Sequence, residues 1–211
     1  MKRAQHAAET RTKILKVTRE LLQEHGYQKT TTRMIIQCCG IRNSTLYHFF
    51  QNKEDILLHI ALTIIEKVRE LIERDYNHSP EMALFHELCW YYFSLLENTR
   101  HAELYLVAFR SYRVSKVIHS NMMDRVKQLG KVETEEELEI IISMILGFLQ
   151  AIGDQYIHGQ AFDQQQMIRS HFKLLLKTLD YDKAERQAIL AKIAYKEIEA
   201  VVPNYPILRA L

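Results

Sequence analysis

A short run of this sequence concentrates polar side chains that could bond a polyanion. Ser44, Thr45, Tyr47 and His48 bring two hydroxyls, a phenol and an imidazole, and Lys53 adds a cation just beyond. Groups of this kind donate to phosphate oxygens and reach base edges in a major groove. They act together only if a scaffold turns them outward on one face.

That scaffold is legible from Thr30 to Phe50, TTTRMIIQCCGIRNSTLYHFF. With Gly40 as the ninth residue of a helix-turn-helix, Ile35, Ile41, Leu46 and Phe49 fall at positions four, ten, fifteen and eighteen, where two crossed helices bury apolar side chains. Glycine suits the turn because one residue there needs a left-handed backbone that a Cβ penalises. The second helix is expected over about Ser44 to Phe50, with Leu46 and Phe49 inward and the polar set outward.

The rest of the composition bounds what surrounds this element. The 211 residues are 47% hydrophobic, with six glycines and three prolines. So few breakers, and apolar residues mostly three to four apart, predict an almost wholly helical, all-α chain. Residues 1 to 55 hold ten Lys and Arg against five acids, or +5, whereas the remainder holds 18 against 21, or −3. The basic portion is the portion with the motif, as a polyanion partner requires.

Several function classes lack support. No run of 18 apolar residues is free of charge, so no membrane span or membrane partner is expected, and the basic N-terminus MKRAQHAAETRTK lacks the apolar core of a signal peptide. A cytoplasmic location is the expectation. Cys38, Cys39 and Cys89 show no zinc spacing and no relaxed disulfide pairing, so no metal or cofactor is expected. There is no G-x-S-x-G, P-loop, dinucleotide fingerprint or H-E-x-x-H, so the chain does not read as an enzyme.

The stretch TTRMIIQCCGIRNSTLYHFFQNKEDIL resembles the TetR family of bacterial transcription regulators, on Gly40, Thr45, Leu46, Tyr47, Phe50, Lys53 and Glu54. The resemblance covers residues 10 to about 58. Ile36 and Cys39 replace common alanines, and Arg42 replaces the usual serine N-cap, which passes capping to Asn43 or Ser44. The resemblance implies a DNA-binding head at 1–52 and an effector-binding and dimerisation body at 53–211. It implies DNA contacts from Thr31, Arg33, Arg42, Asn43, Ser44, Thr45, Tyr47, His48 and Lys53. A dimeric regulator follows, most simply a repressor on a near-palindromic duplex operator, answering to a small-molecule effector. The second reading keeps the fold but gives control to a partner protein, with no small ligand.

Helical spacing continues through the body. Helix one is expected from about Thr10 to His25 with Gly26 as its stop, after a basic arm at Lys2 and Arg3. Asn52 and Asp55 cap helix four, to about Arg74, and Ser79 with Pro80 opens helix five. Helix six is expected from about Arg100 to His119, capped by Thr99, and helix seven from Asn121 to Leu129. The aromatic residues between 85 and 112 read as core or, through the resemblance, as an effector pocket of Phe85, His86, Tyr92, Tyr105, Phe109, Tyr112 and His119. Thr134 and Asp163 cap two later apolar helices. Those helices bury their surplus within the chain or, as the resemblance implies, dimerise through Ile141, Ile145, Phe148, Leu149, Ile152, Ile168, Phe172, Leu175 and Leu179. A last helix is expected over 182–201.

Overall fold

The computed structural model describes residues 2–76 and 78–193. Among them it holds ten helices and no strand: α1 (Lys2–Lys29), α2 (Thr32–Cys39), α3 (Asn43–Phe49), α4 (Lys53–Tyr76), α5 (Pro80–Leu96), α6 (Thr99–Arg110), α7 (Tyr112–Lys127), α8 (Glu135–Ile157), α9 (Gln164–Thr178) and α10 (Lys183–Lys192). The all-α expectation holds. One continuous apolar core runs from Ile14 to Ile193.

The first helix departs from expectation at its start: it begins at Lys2, so the basic arm is helical. Gly26 interrupts it as foreseen, its φ of 75° and ψ of 172° making a kink after which a short further helical stretch runs to Lys29. Beyond the kink Thr30 is buried, its hydroxyl directed at the carbonyls of Gly26 (2.8 Å) and Leu21 (3.1 Å). The long α4 packs against α1, α5, α6 and α7, so it belongs to head and body alike.

The expected helix from Arg100 to His119 is two helices. The backbone leaves the helical region at Ser111 (φ −75°, ψ 124°), and α7 restarts at once. Neither proline nor glycine marks the break. Asn98, rather than Thr99, caps α6, its side chain accepting from the His101 N–H at 3.0 Å. Ser79 precedes Pro80 as foreseen, yet its hydroxyl makes no capping bond.

On α8 and α9 the structure corrects the choice of face. Ile141, Ile145, Leu149, Ile152, Ile168, Phe172, Leu175 and Leu179 are all buried within this single chain. Of the residues assigned to a dimer interface, only Phe148 reaches the surface, at 39% exposure. The outward apolar stripe is Ile140, Met144, Phe148 and Leu174, with Gly147 and Ala151 between. Because α8 is apolar nearly all round, its period does not reveal which phase points inward. Its inner face packs on α5, α6 and α7, and at Gly153 a Cβ would lie 2.7 Å from Leu95 Cδ1. By length and hydropathy α8 could cross a membrane, a property shared with core helices of this kind.

Thr134 and Asp163 cap α8 and α9 as foreseen, accepting from Glu137 N (3.1 Å) and Gln166 N (3.0 Å). Asp182 and Glu185 form a reciprocal capping box on α10. The part of the expected last helix beyond Ile193 lies outside the described residues.

Candidate nucleic-acid interface

The geometry of the head begins with two caps. Thr31 is extended (φ −118°) and its hydroxyl accepts from Met34 N at 3.2 Å, which starts α2. Gly40 ends it in the left-handed region, φ 61° and ψ 36°. Ile35 and Leu46 are fully buried across the resulting crossing, and Ile41 and Phe49 are half-buried. Burying Leu46 fixes the roll of α3, and therefore what α3 shows to solvent.

That outward face carries Asn43, Ser44, Tyr47 and His48, all exposed, with Thr45 half-buried at its edge. Tyr47 is 50% exposed. The expected side-chain cap is missing: Arg42 is the extended N-cap residue and bonds nothing there, and the helix starts at Asn43. Thr31, Arg33 and Arg42 are exposed as well.

Lys53 is placed differently from the outward set. Its ammonium lies 3.9 Å from the Tyr27 ring centre and donates to the Tyr27 carbonyl at 2.5 Å. Burial lowers its pKa. A cation in the first turn of α4 opposes the helix dipole, and its compensation is internal: a carbonyl and a ring at the end of α1. One N–H is spent on that carbonyl, and an ammonium has three.

The early start of α1 brings side chains that sequence reasoning missed. His6, Ala7 and Thr10 line a surface hollow with Ser44, Thr45, His48 and Phe49, and Lys13 lines its neighbour with Arg42. Helical spacing upstream of Thr10 was the available signal, though it does not say which way that turn faces.

In the body the seven proposed pocket residues do not come together. Tyr112 is 76% exposed, and His119 pairs with Glu139 at 2.8 Å on the surface of α7 and α8. Phe85 packs edge-on against Phe172 in the core, and His86 stacks on Tyr76 at 3.9 Å. Tyr92 bonds the His171 ring at 2.8 Å. Of the seven, only Tyr105 and Phe109 line a common apolar cavity, one of about 40 Å³ between α4, α5, α6 and α7. The rest of its wall includes Leu57, Ala61, Ile65, Trp90 and Leu104.

Polar ties join the helices that wall this cavity. A buried Glu87–Arg125 pair (2.9 Å) joins α5 to α7, and Arg69 of α4 bonds Asn121 of α7 (2.7 Å) and Glu73 (2.8 Å). At the head end Arg113 of α7 bonds Asp55 of α4. Asp55 also accepts from Gln51 N at 3.1 Å while its own N–H bonds Asn52 Oδ1 at 2.8 Å, a reciprocal cap offset by one residue from the expected pair. Among the described residues no cluster of His, Cys, Asp and Glu could hold a metal.

Comparison with known proteins places this head. The family profile described as "Bacterial regulatory proteins, tetR family" matches residues 14–60. The HTH-type transcriptional regulator UidR of Escherichia coli K12 is 36% identical over 89 residues, 38% of this chain and 45% of that protein, so the match spans about half of the relative. The HTH-type transcriptional regulator YhgD of Bacillus subtilis is 23% identical over 138 residues, 65% of this chain and 64% of its own. Among solved structures, FadR from Bacillus subtilis in complex with stearoyl-CoA superposes at TM-score 0.61 and 18% identity, over 79% of this chain and 98% of that one. RolR in complex with resorcinol superposes at 0.66 and 17%, over 90% and 97%. At such identities the likeness shows the fold.

Proposed function

We propose that the chain is a member of the family whose profile matches its head at residues 14–60, the tetR family of bacterial regulatory proteins, and that it is a cytoplasmic, dimeric repressor whose hold on operator DNA is set by a small effector. The observation that carries this reading is α3 itself: Leu46 fully buried beneath, with Ser44, Tyr47 and His48 turned out on the opposite side. Thr45 and His48 reach base edges. Thr31, Arg33, Arg42, Asn43, Ser44 and Tyr47 position the phosphates, and Lys53 supports them with the N–H donors that Tyr27 leaves over.

The head takes residues 1–52 and the body 53–211, with α4 as their shared rod. Two heads are needed to read two half-sites about 34 Å apart. The exposed apolar stripe of Ile140, Met144, Phe148 and Leu174 supplies the twofold contact, since an uncovered stripe of this kind favours association. FadR and RolR, which share the fold, were solved with stearoyl-CoA and resorcinol, which supports a small-molecule effector here, and the small body cavity is our candidate place for it. Effector coupling in such systems is typically about 1–3 kcal/mol.

Selection of bound duplexes from a random pool tests the reading. Recovery of a near-palindrome bound by two copies supports it, and failure to retain any duplex at low ionic strength overturns it. The cavity's size, about 40 Å³, favours a second reading in which a partner protein controls the head. In that case no small compound raises the melting temperature, as a ligand of the native state must.

A further inference from the structure

The cavity between α4, α5, α6 and α7 is mostly apolar, with Trp90, Ser94, His101 and Tyr105 as the residues of its wall that carry polar atoms. The Trp90 indole Nε1, the Ser94 hydroxyl and the Tyr105 phenol oxygen are buried without a hydrogen-bond partner, and all three residues wall the cavity. Buried polar atoms are rarely left unpaired. Three of them around one small space ask for a common partner. The indole can only donate and both hydroxyls can donate, so a partner common to all three is an acceptor. Burial raises the Tyr105 phenol well above its ordinary pKa, which keeps that donor protonated.

The wall also excludes charge. No Lys, Arg, Asp or Glu lines the cavity, and its one imidazole, His101, is engaged at 2.8 Å by Glu97. An ion placed there would lose water and gain no counter-charge. Size sets the remaining limit. The present 40 Å³ holds roughly three waters, whereas an apolar cavity that takes benzene measures about 150 Å³. A ring must therefore spread the helices as it enters. Trp90 and the stacked Tyr105 and Phe109 rings, 5.0 Å between centres, give it flat walls to lie against.

We infer that this seam takes a compact, uncharged, single-ring molecule with one oxygen acceptor, such as a phenol or a cyclic ketone. Its oxygen meets the Trp90, Ser94 and Tyr105 donors, and its ring parts α4 from α6 and α7. The inference rests on the reading of the body as an effector domain and names the chemistry of that effector.

The test titrates the full chain with phenol, cyclohexanone, toluene and benzoate while following Trp90, the only tryptophan of the sequence. Phenol and cyclohexanone are expected to change its emission and raise the melting temperature, with toluene and benzoate at least about tenfold weaker. Tyr105→Phe, which keeps the ring, and Ser94→Ala should each weaken cyclohexanone by roughly three- to tenfold, with cooperative melting as the check on folding. Equal binding of toluene or benzoate, silence toward both oxygen-bearing probes, or unchanged affinity in both folded variants overturns the inference. Operator binding without any probe separates the two claims. A chain that holds a duplex but ignores phenol and cyclohexanone loses only this ligand class, and a chain that holds no duplex loses the regulator reading whatever the probes do.

Discussion

Arg113 Nη1 lies 3.2 Å from Asp55 Oδ1, joining the first turn of α7 to the first turn of α4 six residues after α3 ends. Arg113 is 55% exposed and Asp55 16%, so as a source of stability the pair is worth under about 1 kcal/mol. Its value lies in where it acts. It fixes the head end of α4 against a helix that walls the cavity. Arg113→Ala should leave the denaturation midpoint nearly unchanged yet reduce the difference in operator affinity with and without inducer by at least about threefold. Equal inducer response in the variant and the parent protein would remove the pair from signalling.

Lys53→Ala should act in two ways. Loss of the Tyr27 carbonyl bond and ring contact is expected to destabilise the head by about 1 kcal/mol. If a phosphate shares the ammonium, the slope of log affinity against log salt also flattens by about one unit. Chemical denaturation measures the first and operator binding at several salt concentrations the second. A stability loss with an unaltered slope would assign Lys53 to holding α1 on α4 alone.

Met144→Glu places a charge on the outward stripe of α8, where the parent side chain is 50% exposed. The variant should fold with its melting transition intact at low concentration, sediment as a monomer, and lose roughly tenfold or more in operator affinity. Ile142→Glu, at a fully buried position of the same helix, should instead prevent folding through an unpaired buried charge. A dimeric Met144→Glu protein would move the twofold contact elsewhere.

Two buried histidines give the fold a pH dependence. Burial pushes His86 and His171 down to about 4, against an ordinary value of 6.5. Between those values the unfolded chain binds protons that the folded chain refuses. Their contribution is therefore complete above about pH 6.5 and is lost as the pH falls toward 4, by up to about 1.4 kcal/mol per pH unit for each ring. Denaturant midpoints at pH 7.5, 6 and 5 should fall in that order. His171→Gln, which can keep a bond to Tyr92, should remove about half of the slope, and an unaltered slope would exclude His171 as a source.

The head was largely legible because its signals are local. Gly40 announces a left-handed turn, and Ile35 and Leu46 announce the crossing, each through its own residue type. Thr134, Asp163 and Asp182 mark helix starts for the same reason. The body was less legible because its decisive facts are relative. Spacing in α8 gives a period but no phase, so Ile141 and Ile145 could not be told from Ile140 and Met144. The break at Ser111 carries no breaker residue, and the partner of Lys53 lies 26 residues away at Tyr27. Aromatic density between 85 and 112 marked a core correctly, yet which rings border an open space depends on the crossing of four helices.

If the Arg113–Asp55 pair yields, the Arg69–Asn121 bond is left as the pivot on which α4 can swing. At 1.5 Å per residue, Ala61 on the cavity wall lies about 12 Å from Arg69, and Lys53 at the head lies about 24 Å away. A rigid rod pinned at Arg69 would double any sideways push, so one ångström of spreading at Ala61 becomes about two at the base of the head. An intruder no larger than a benzene ring would therefore move the base of the head about twice as far as it moves the cavity wall.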